Sequence, residues 1–253
     1  MLEAVSRIAR EAGRIAAARC GTDFDRWEKA PGNPVCAVDL EIDSFLREQL
    51  SQLDPEAGWL SEETLDDSDR IERPRLWVVD PIDGTRDYLR GRSGWAVSVA
   101  LVEERVPVLG VLDAPARGEH WTAEAGKGAW RNGQGLRVSG RRSLAGARVP
   151  ADKVPPSDPD LIPVPRPNSI ALRIAMVAAG EADLVATLRW GFEWDIAAAA
   201  LIAAEAGATV TGALGQPLAF NTASGEAFGV LVAAPGIHAA AVERIRERAL
   251  AVV

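Results

Sequence analysis

The sequence predicts an α/β protein in two unlike halves, an α+β first half and an alternating α/β second half. Three observations carry this. Apolar residues recur at helical spacing near the start, short β-like runs separated by turn residues fill the middle, and helical and extended patterns alternate after a proline-rich stretch at 150–167.

Leu2, Val5, Ile8, Ala12 and Ile15 fall on one side of an opening helix, with Glu3, Arg7, Arg10, Glu11 and Arg14 on the other. After a break at "EKAPGNPV", Val38, Ile42, Phe45, Leu46 and Leu53 mark a second helix. "LWVVD" reads as a buried strand, stopped by Pro81. "WAVSVALV", "VPVLGVLDAP" and "EHWTAE" suggest an antiparallel meander, which "GKGAWRNGQGLRVS" continues through a hairpin turn at Asn132-Gly133. The stretch 150–167 holds seven prolines and divides the chain into subdomains at 1–149 and 150–253. Beyond it come a helix at "NSIALRIAMVAAG", a strand at "DLVATL", a helix at "DIAAAALIAAEAG", strands near "ATVTG" and at "FGVLVAAP", and a last helix over 236–250.

With 47% apolar and 25% charged residues, the 253-residue chain has the composition of an ordinary globular protein. The net charge is −8 and the basic residues are scattered, so a nucleic-acid polymer is not an expected partner. An anionic substrate would then need local cations, either an arginine cluster or bound metal. Cys20 and Cys36 form neither a metal-ligand spacing nor a disulfide framework, and the charged opening has no apolar signal core; a cytoplasmic protein is expected. The longest uncharged stretch, 206–225, is full of Gly, Thr, Pro and Asn, which excludes a membrane span there.

Three segments place acids where packing alone does not ask for them. Glu62-Glu63 end the approach "GWLSEE", Asp80 and Asp83 end the strand in "LWVVDPIDGT", and Asp195 opens the alanine-rich helix after "GFEW". Each alone has an ordinary reading: a helix N-cap for Asp195, a turn for Asp83-Gly84, a solvated edge for the glutamates. Together they supply hard oxygen donors from strand ends and helix starts, which suits Mg²⁺. Two acids at i and i+3 beside a glycine turn can reach two metal ions, and such a pair can hold a phosphate and activate water. The amides of Gly84 and Thr85 would add donors to phosphate oxygens. Competing motifs fail: there is no P-loop, "GKGAWR" lacks the last glycine of G-x-G-x-x-G, and neither His120 nor His238 has a partner acid or nucleophile at a telling position.

At this point the residues resemble the inositol monophosphatase superfamily. The resemblance is carried by "DPIDGT" at 80–85, "WLSEE" at 59–63 and "EWDIAAAALIAAEAGA" at 193–208, supported by "GNPVCAVDLEID" at 32–43, "GEHWTAEAGKGAWRNG" at 118–133 and "NSIALRIAMVAAGEADL" at 168–184. It implies a layered αβαβα sandwich and a Mg²⁺-dependent, Li⁺-sensitive phosphomonoesterase with two or three ions, usually a homodimer acting on a small phosphorylated substrate. It also implies that Glu62, Asp80 and the carbonyl of Ile82 bind the first metal and that Asp80, Asp83 and Asp195 hold the second. Glu62 and Thr85 would activate the attacking water, with Asp39 near a third, weaker site and Lys29 in the opening loop. Asp83, Gly84 and Thr85 would face the phosphate.

The substrate is less narrowly implied. Leu188 stands where members acting on inositol phosphates carry a glutamate, and Asn168 where a glycine is common; with Ser169 and Arg86 these are the expected substrate contacts. "RDYLRG" after "DPIDGT", together with "LDAPARG" at 112–118, resembles the 3′(2′),5′-bisphosphate nucleotidases, and Arg86, Arg90 and Arg92 could meet a second phosphate or instead pair with Asp87. Myo-inositol phosphate, histidinol phosphate and sugar bisphosphates stay open as substrates. A non-catalytic binding protein on the same fold is the alternative from a different class. It should have lost at least one ligand, and Glu62, Asp80, Asp83, Thr85 and Asp195 are all present.

Overall fold

Trp77 and Val79 point to one side of their strand and Leu76 and Val78 to the other, and both sides are buried. That two-faced strand, β4 (Arg75–Asp83) in the numbering below, explains the layering seen in the computed structural model, which describes residues 1–30 and 33–252. The chain opens with α1 (Leu2–Arg19), a hairpin of β1 (Arg26–Ala30) and β2 (Asn33–Cys36), and α2 (Ala37–Leu53). A seven-stranded sheet follows: β3 (Gly58–Ser61), β4, β5 (Ala96–Glu103), β6 (Val106–Ala114), β7 (Glu119–Glu124), β8 (Ala129–Arg131) and β9 (Gln134–Gly135), in that spatial order. All neighbours are antiparallel except β3 and β4, which are parallel. The short α3 (Thr85–Leu89) interrupts the meander after β4.

The second half supplies a parallel pair, β10 (Arg148–Pro150) and β11 (Ile162–Val164), then α4 (Ile170–Ala178) and β12 (Leu184–Ala186). After these come β13 (Trp190–Phe192), α5 (Glu193–Glu205), β14 (Thr209–Thr211), β15 (Glu226–Phe228), β16 (Leu231–Ala233) and α6 (Pro235–Leu250). Strands β12, β16 and β14 form a second sheet, and β13 pairs with β15.

Three hydrophobic clusters separate five layers. α1 and α2 pack against Trp77, Val79, Val97, Val99 and Val111 of the large sheet. α4 and α5 pack between its other face (Val78, Ala100, Leu112) and the second sheet (Val185, Val232). α6 covers Leu184, Leu231 and Ala233 on the far side. The order is αβαβα, and residues before and after position 150 share the middle cluster.

The alanines of α5 let it approach the large sheet closely. A Cβ on Gly110 of β6 would stand 2.7 Å from the Ala198 carbonyl oxygen and 3.1 Å from its Cα. No larger residue fits there without moving the helix.

Several expectations need correction. "EKAPGNPV" is not a simple break, because its described residues belong to the paired strands β1 and β2; the side chain of Lys29 lies outside the described residues. Pro81 does not end its strand, since β4 continues to Asp83 through an irregularity. "FGVLVAAP" is two strands divided at Gly229, whose φ is 62°. α5 starts at Glu193, so Asp195 is its third residue rather than its cap. His120 does have partners: Nδ1 lies 2.7 Å from Asp113 and Nε2 2.6 Å from Ser6, tying α1 to the sheet. None of these three lines the acidic cleft described below.

Gly110→Ala is expected to cost about 1–3 kcal/mol through overpacking against α5. The urea midpoint should fall, and phosphatase activity with it, because α5 carries Asp195; an unchanged midpoint would show that the helix can retreat without penalty.

Candidate active site

Residues three apart on a regular strand point to opposite faces, so Asp80 and Asp83 should diverge. They converge because β4 is bulged. Asp80 pairs with Ser98 and Asp83 with Ala96, so two residues, Pro81 and Ile82, oppose Val97 alone. Pro81, which has no N–H to offer a ladder, is tolerated at such a point. The extra residue turns Asp83 back, and carboxylate oxygens of Asp80, Asp83 and Asp195 lie within 4.8 Å of one another.

Neighbouring elements hold each acid. Parallel pairing sets Ser61 of β3 beside Val79, so Glu62 leaves its strand level with Asp80. Asp80 Oδ1 accepts from the Ile82 N–H at 2.9 Å, closing the bulge. Asp83 accepts from the Ser169 hydroxyl at 2.5 Å and from the amides of Ala171 and Ile170 at 2.8 and 3.3 Å, so the first turn of α4 grips it. Asp195 accepts from the Phe192 N–H at 3.4 Å at the start of α5. The Thr85 hydroxyl donates to the Ile82 carbonyl at 3.1 Å. Gly84 has a φ of 97°, and a Cβ there would stand 2.7 Å from the Gly94 carbonyl oxygen and 2.9 Å from the Ser169 nitrogen; only glycine fits.

These residues floor a cleft of about 570 Å³. Glu62, Asp80, Asp83, Gly84, Thr85, Asp195, Arg86 and Asn168 all line it. Asp39 is buried at the start of α2, where it accepts from the Cys36 N–H at 2.8 Å and Sγ at 2.9 Å; it is near enough to raise the Asp80 pKa but does not line the cleft. Two expected substrate contacts lie elsewhere. Ser169 is wholly buried, and its hydroxyl is engaged by Asp83 and the Leu172 amide. Leu188 packs against the cluster under α6 and lines a separate apolar cavity of about 240 Å³. Arg90 and Arg92 are not cleft residues either, and Arg92 faces Asp87 at 3.8 Å, the surface pairing already allowed for.

Trp190 and Trp194, which flank the site in the sequence, stand on the walls with Arg189, and sequence reading missed three further wall residues, Arg166, Arg173 and Phe192. Trp190 and Phe192 are 54% and 40% exposed, unusual for such large rings beside a cleft, and Phe192 stacks on Trp194 with centroids 4.4 Å apart. Burial and then Arg166 push the Arg173 guanidinium down to about 10. Its Nε and Nη2 hold the carbonyls of Pro167 and Asn168, at 2.8 and 2.6 Å. The signal for Arg166 was weak because it sits in the proline-rich stretch, which has no periodicity to place it.

The sequence model of the inositol monophosphatase family matches residues 1–252. The chain belongs to the inositol monophosphatase family. Relatives in this family include the 3′(2′),5′-bisphosphate nucleotidase CysQ of Escherichia coli, 32% identical over 87% of this chain and 94% of its own. Others are the inositol-1-monophosphatase SuhB of Mycobacterium tuberculosis, 36% identical over 88% and 81%, and a fructose-1,6-bisphosphatase/inositol-1-monophosphatase of Thermotoga maritima, 32% identical over 81% and 82%. Among solved structures, an IMPase of Thermotoga maritima superposes with a TM-score of 0.83 at 28% identity, covering 96% of this chain and 95% of that one. The SuhB protein of Bartonella henselae gives 0.81 at 27% identity, covering 97% and 98%. The protein is thus a phosphatase acting on small phosphorylated metabolites.

The family is metal-dependent, and this acid cluster fits a hard cation. Burial, and then the charges of Glu62, Asp83, Asp195 and Asp39, push the Asp80 carboxyl well above the usual carboxylate range. Burial also pushes Asp83 up, against the pull of Ser169 and the α4 amides. Burial, with Asp83 next, raises Asp195 to about 7. Oxygen donors that cannot comfortably ionise together are what a divalent cation would relieve.

Stability should therefore depend on pH in a defined direction. The unfolded chain releases these protons near the ordinary aspartate value of 3.8, whereas the fold holds the Asp195 proton to about 7. The contribution of Asp195 is full below about pH 4 and is lost as pH rises through about 7, and the raised Asp80 and Asp83 act in the same direction. In chelator, the urea midpoint should be lower at about pH 8 than at about pH 5.5, with Mg²⁺ restoring more at the higher pH. Equal gains from Mg²⁺ at both would argue against cation binding at these acids.

Proposed function

We propose that the protein is a Mg²⁺-dependent phosphomonoesterase whose preferred substrate carries a planar group and a second anion, as 3′-phosphoadenosine 5′-phosphate does. The observation that carries the substrate reading is the cleft wall. Arg86, Arg166 and Arg189 stand on it with the exposed rings of Trp190 and Phe192. Guanidinium forks suit phosphate oxygens, and exposed indole and phenyl faces suit a stacked base. The arginine set differs from the one first expected, since Arg86 stays and Arg166 and Arg189 replace Arg90 and Arg92.

In this reading Glu62, Asp80 and the Ile82 carbonyl would hold one ion, and Asp80, Asp83 and Asp195 a second. When bound, such ions supply Lewis-acid stabilisation of the transferring phosphoryl group and lower the pKa of water. The chain's own groups do the rest. Glu62 and Thr85 orient the attacking water, and Glu62 accepts its proton. Gly84 and Thr85 offer backbone N–H groups to the phosphate oxygens. Water adds to phosphorus, the P–O ester bond breaks, and the alcohol leaves with a proton, so that inorganic phosphate is released without a covalent enzyme intermediate. A Li⁺-sensitive homodimer acting in the cytoplasm completes the reading that family membership supports.

The deciding experiment is phosphate release with Mg²⁺, with and without Li⁺. Its panel holds 3′-phosphoadenosine 5′-phosphate, myo-inositol 1-phosphate, histidinol phosphate and fructose 1,6-bisphosphate. The adenosine bisphosphate should be preferred, and Arg189→Ala and Trp190→Ala should raise its KM while leaving that of inositol phosphate nearly unchanged. A preference for inositol phosphate would sink the substrate reading. Asp80→Asn should lower kcat roughly 10²–10³-fold or more while the fold stays intact, and full residual activity would remove Asp80 from the machinery.

A further inference from the structure

Two buried ionic side chains outside the cleft connect the segments that carry its acids. Glu193, the first residue of α5, is wholly buried. Its carboxylate accepts from the Asn221 N–H at 2.6 Å, the Thr222 N–H at 2.8 Å and the Thr222 hydroxyl at 2.5 Å. Its own N–H donates to the Gly225 carbonyl at 2.9 Å. The first turn of α5 is thus stapled to the 221–225 loop two positions before Asp195.

Arg70 grips the same loop from the other side and is 2% exposed. Nη1 donates to Asn221 Oδ1 at 2.7 Å and Nη2 to the Thr222 carbonyl at 3.0 Å. Nε and Nη2 fork onto Asp66 at 2.5 and 2.8 Å, and Asn221 Nδ2 returns a bond to the Arg70 carbonyl at 3.2 Å. Asp66 lies four residues beyond Glu62 on the segment leaving β3. A continuous set of bonds therefore runs from the Glu62 segment through Asp66, Arg70, Asn221, Thr222 and Glu193 to the turn that presents Asp195. None of the connecting residues lines the cleft.

Burying a carboxylate and a guanidinium is costly unless their bonds are met, and here three donors meet the one and four acceptor atoms the other. Holding α5 onto the sheet does not require them, because its alanines already pack there. What the set adds is a fixed distance between the Glu62 side and the Asp195 side of the cleft. We infer that Arg70 and Glu193 are positioning residues which set the affinity of the cleft for a divalent cation by holding Glu62 and Asp195 in register. The inference rests on the metal-dependent reading above, and its test separates the two.

Glu193→Gln keeps the shape but turns an N–H toward one of the donors that the carboxylate accepts, so the staple must open. Thr222→Val removes one donor without changing volume, whereas Thr222→Ser keeps the hydroxyl. The measurement is Mn²⁺ binding to the full-length protein, read from the spin-resonance signal of the free ion, with thermal melting in chelator alongside. Glu193→Gln should weaken Mn²⁺ roughly 10- to 100-fold, with kcat largely regained at saturating Mg²⁺. Thr222→Val should weaken it about 3- to 10-fold and Thr222→Ser should behave as the unchanged protein. A folded Glu193→Gln variant with undiminished Mn²⁺ affinity overturns the inference. If that variant fails to fold, equal Mn²⁺ affinities for Thr222→Val and Thr222→Ser do the same. Asp195→Asn is the control: if it binds Mn²⁺ as well as the unchanged protein, the metal reading itself falls, and the positioning role with it.

Discussion

Mutual repulsion among carboxylates buried at the end of β4 is the constraint around which this molecule is arranged. Four acids, Glu62, Asp80, Asp83 and Asp195, arrive from three separate segments, and Asp39 adds its charge from the start of α2. Left to relax, such groups would separate or take up protons. They are kept close because each is fastened to a different rigid element. The parallel β3–β4 pair levels Glu62 with Asp80, the α4 amides hold Asp83, and the first turn of α5 holds Asp195. The layering serves this end. A sheet buried on both faces is stiff enough to carry a bulge at one strand end, and α5 can lie against it only because Gly110 and the alanines allow the approach.

Much of this was legible in the residues. The helices at 2–19 and 37–53, the meander and the alternating second half all follow from hydrophobic period and turn chemistry, because burial on one or two faces leaves a simple pattern. The acids were legible for the opposite reason, as charges ending apolar runs. What escaped was everything that depends on contact between distant segments. The bulge in β4 cannot be read from "VVDPIDGT", because Pro81 suits a strand end as well as a bulge and only pairing with β5 decides. The sequence does not distinguish a Ser169 hydroxyl that faces the cleft from one that bonds Asp83, because its position in the chain is the same in both cases. His120 has no partner legible in the sequence because Ser6 is 114 residues away and Asp113, seven residues before it, meets it only through the register of β6 on β7. Arg166, Arg173 and the Arg70–Glu193 pair were invisible for the same reason.

The acids and the walls of the cleft answer to different physics, and this bears on how related proteins can differ in substrate. Asp80 and Asp83 are buried, and Asp83 is held by the α4 amides and the buried Ser169 hydroxyl. Altering them would leave charges or donors unpaired inside the protein, at a cost of several kcal/mol each. The walls are built on β13, the segment around 166–168 and the first turn of α3, where Arg86, Arg166, Arg189, Trp190 and Phe192 are exposed. Exchanging such residues disturbs little of the interior, since surface changes usually move stability by no more than about 0.5 kcal/mol. A shared floor with an exchangeable rim therefore needs no change of fold to pass from a polyol phosphate to a phosphorylated nucleoside. Trp190 shows where the two meet. It contacts Phe228 edge-on at 5.5 Å, so the ring that could stack a base is also braced by the strand paired with β13, five residues before Asp195. In the reading proposed above, part of the selectivity would therefore rest on one short strand, joined directly to the helix that carries Asp195.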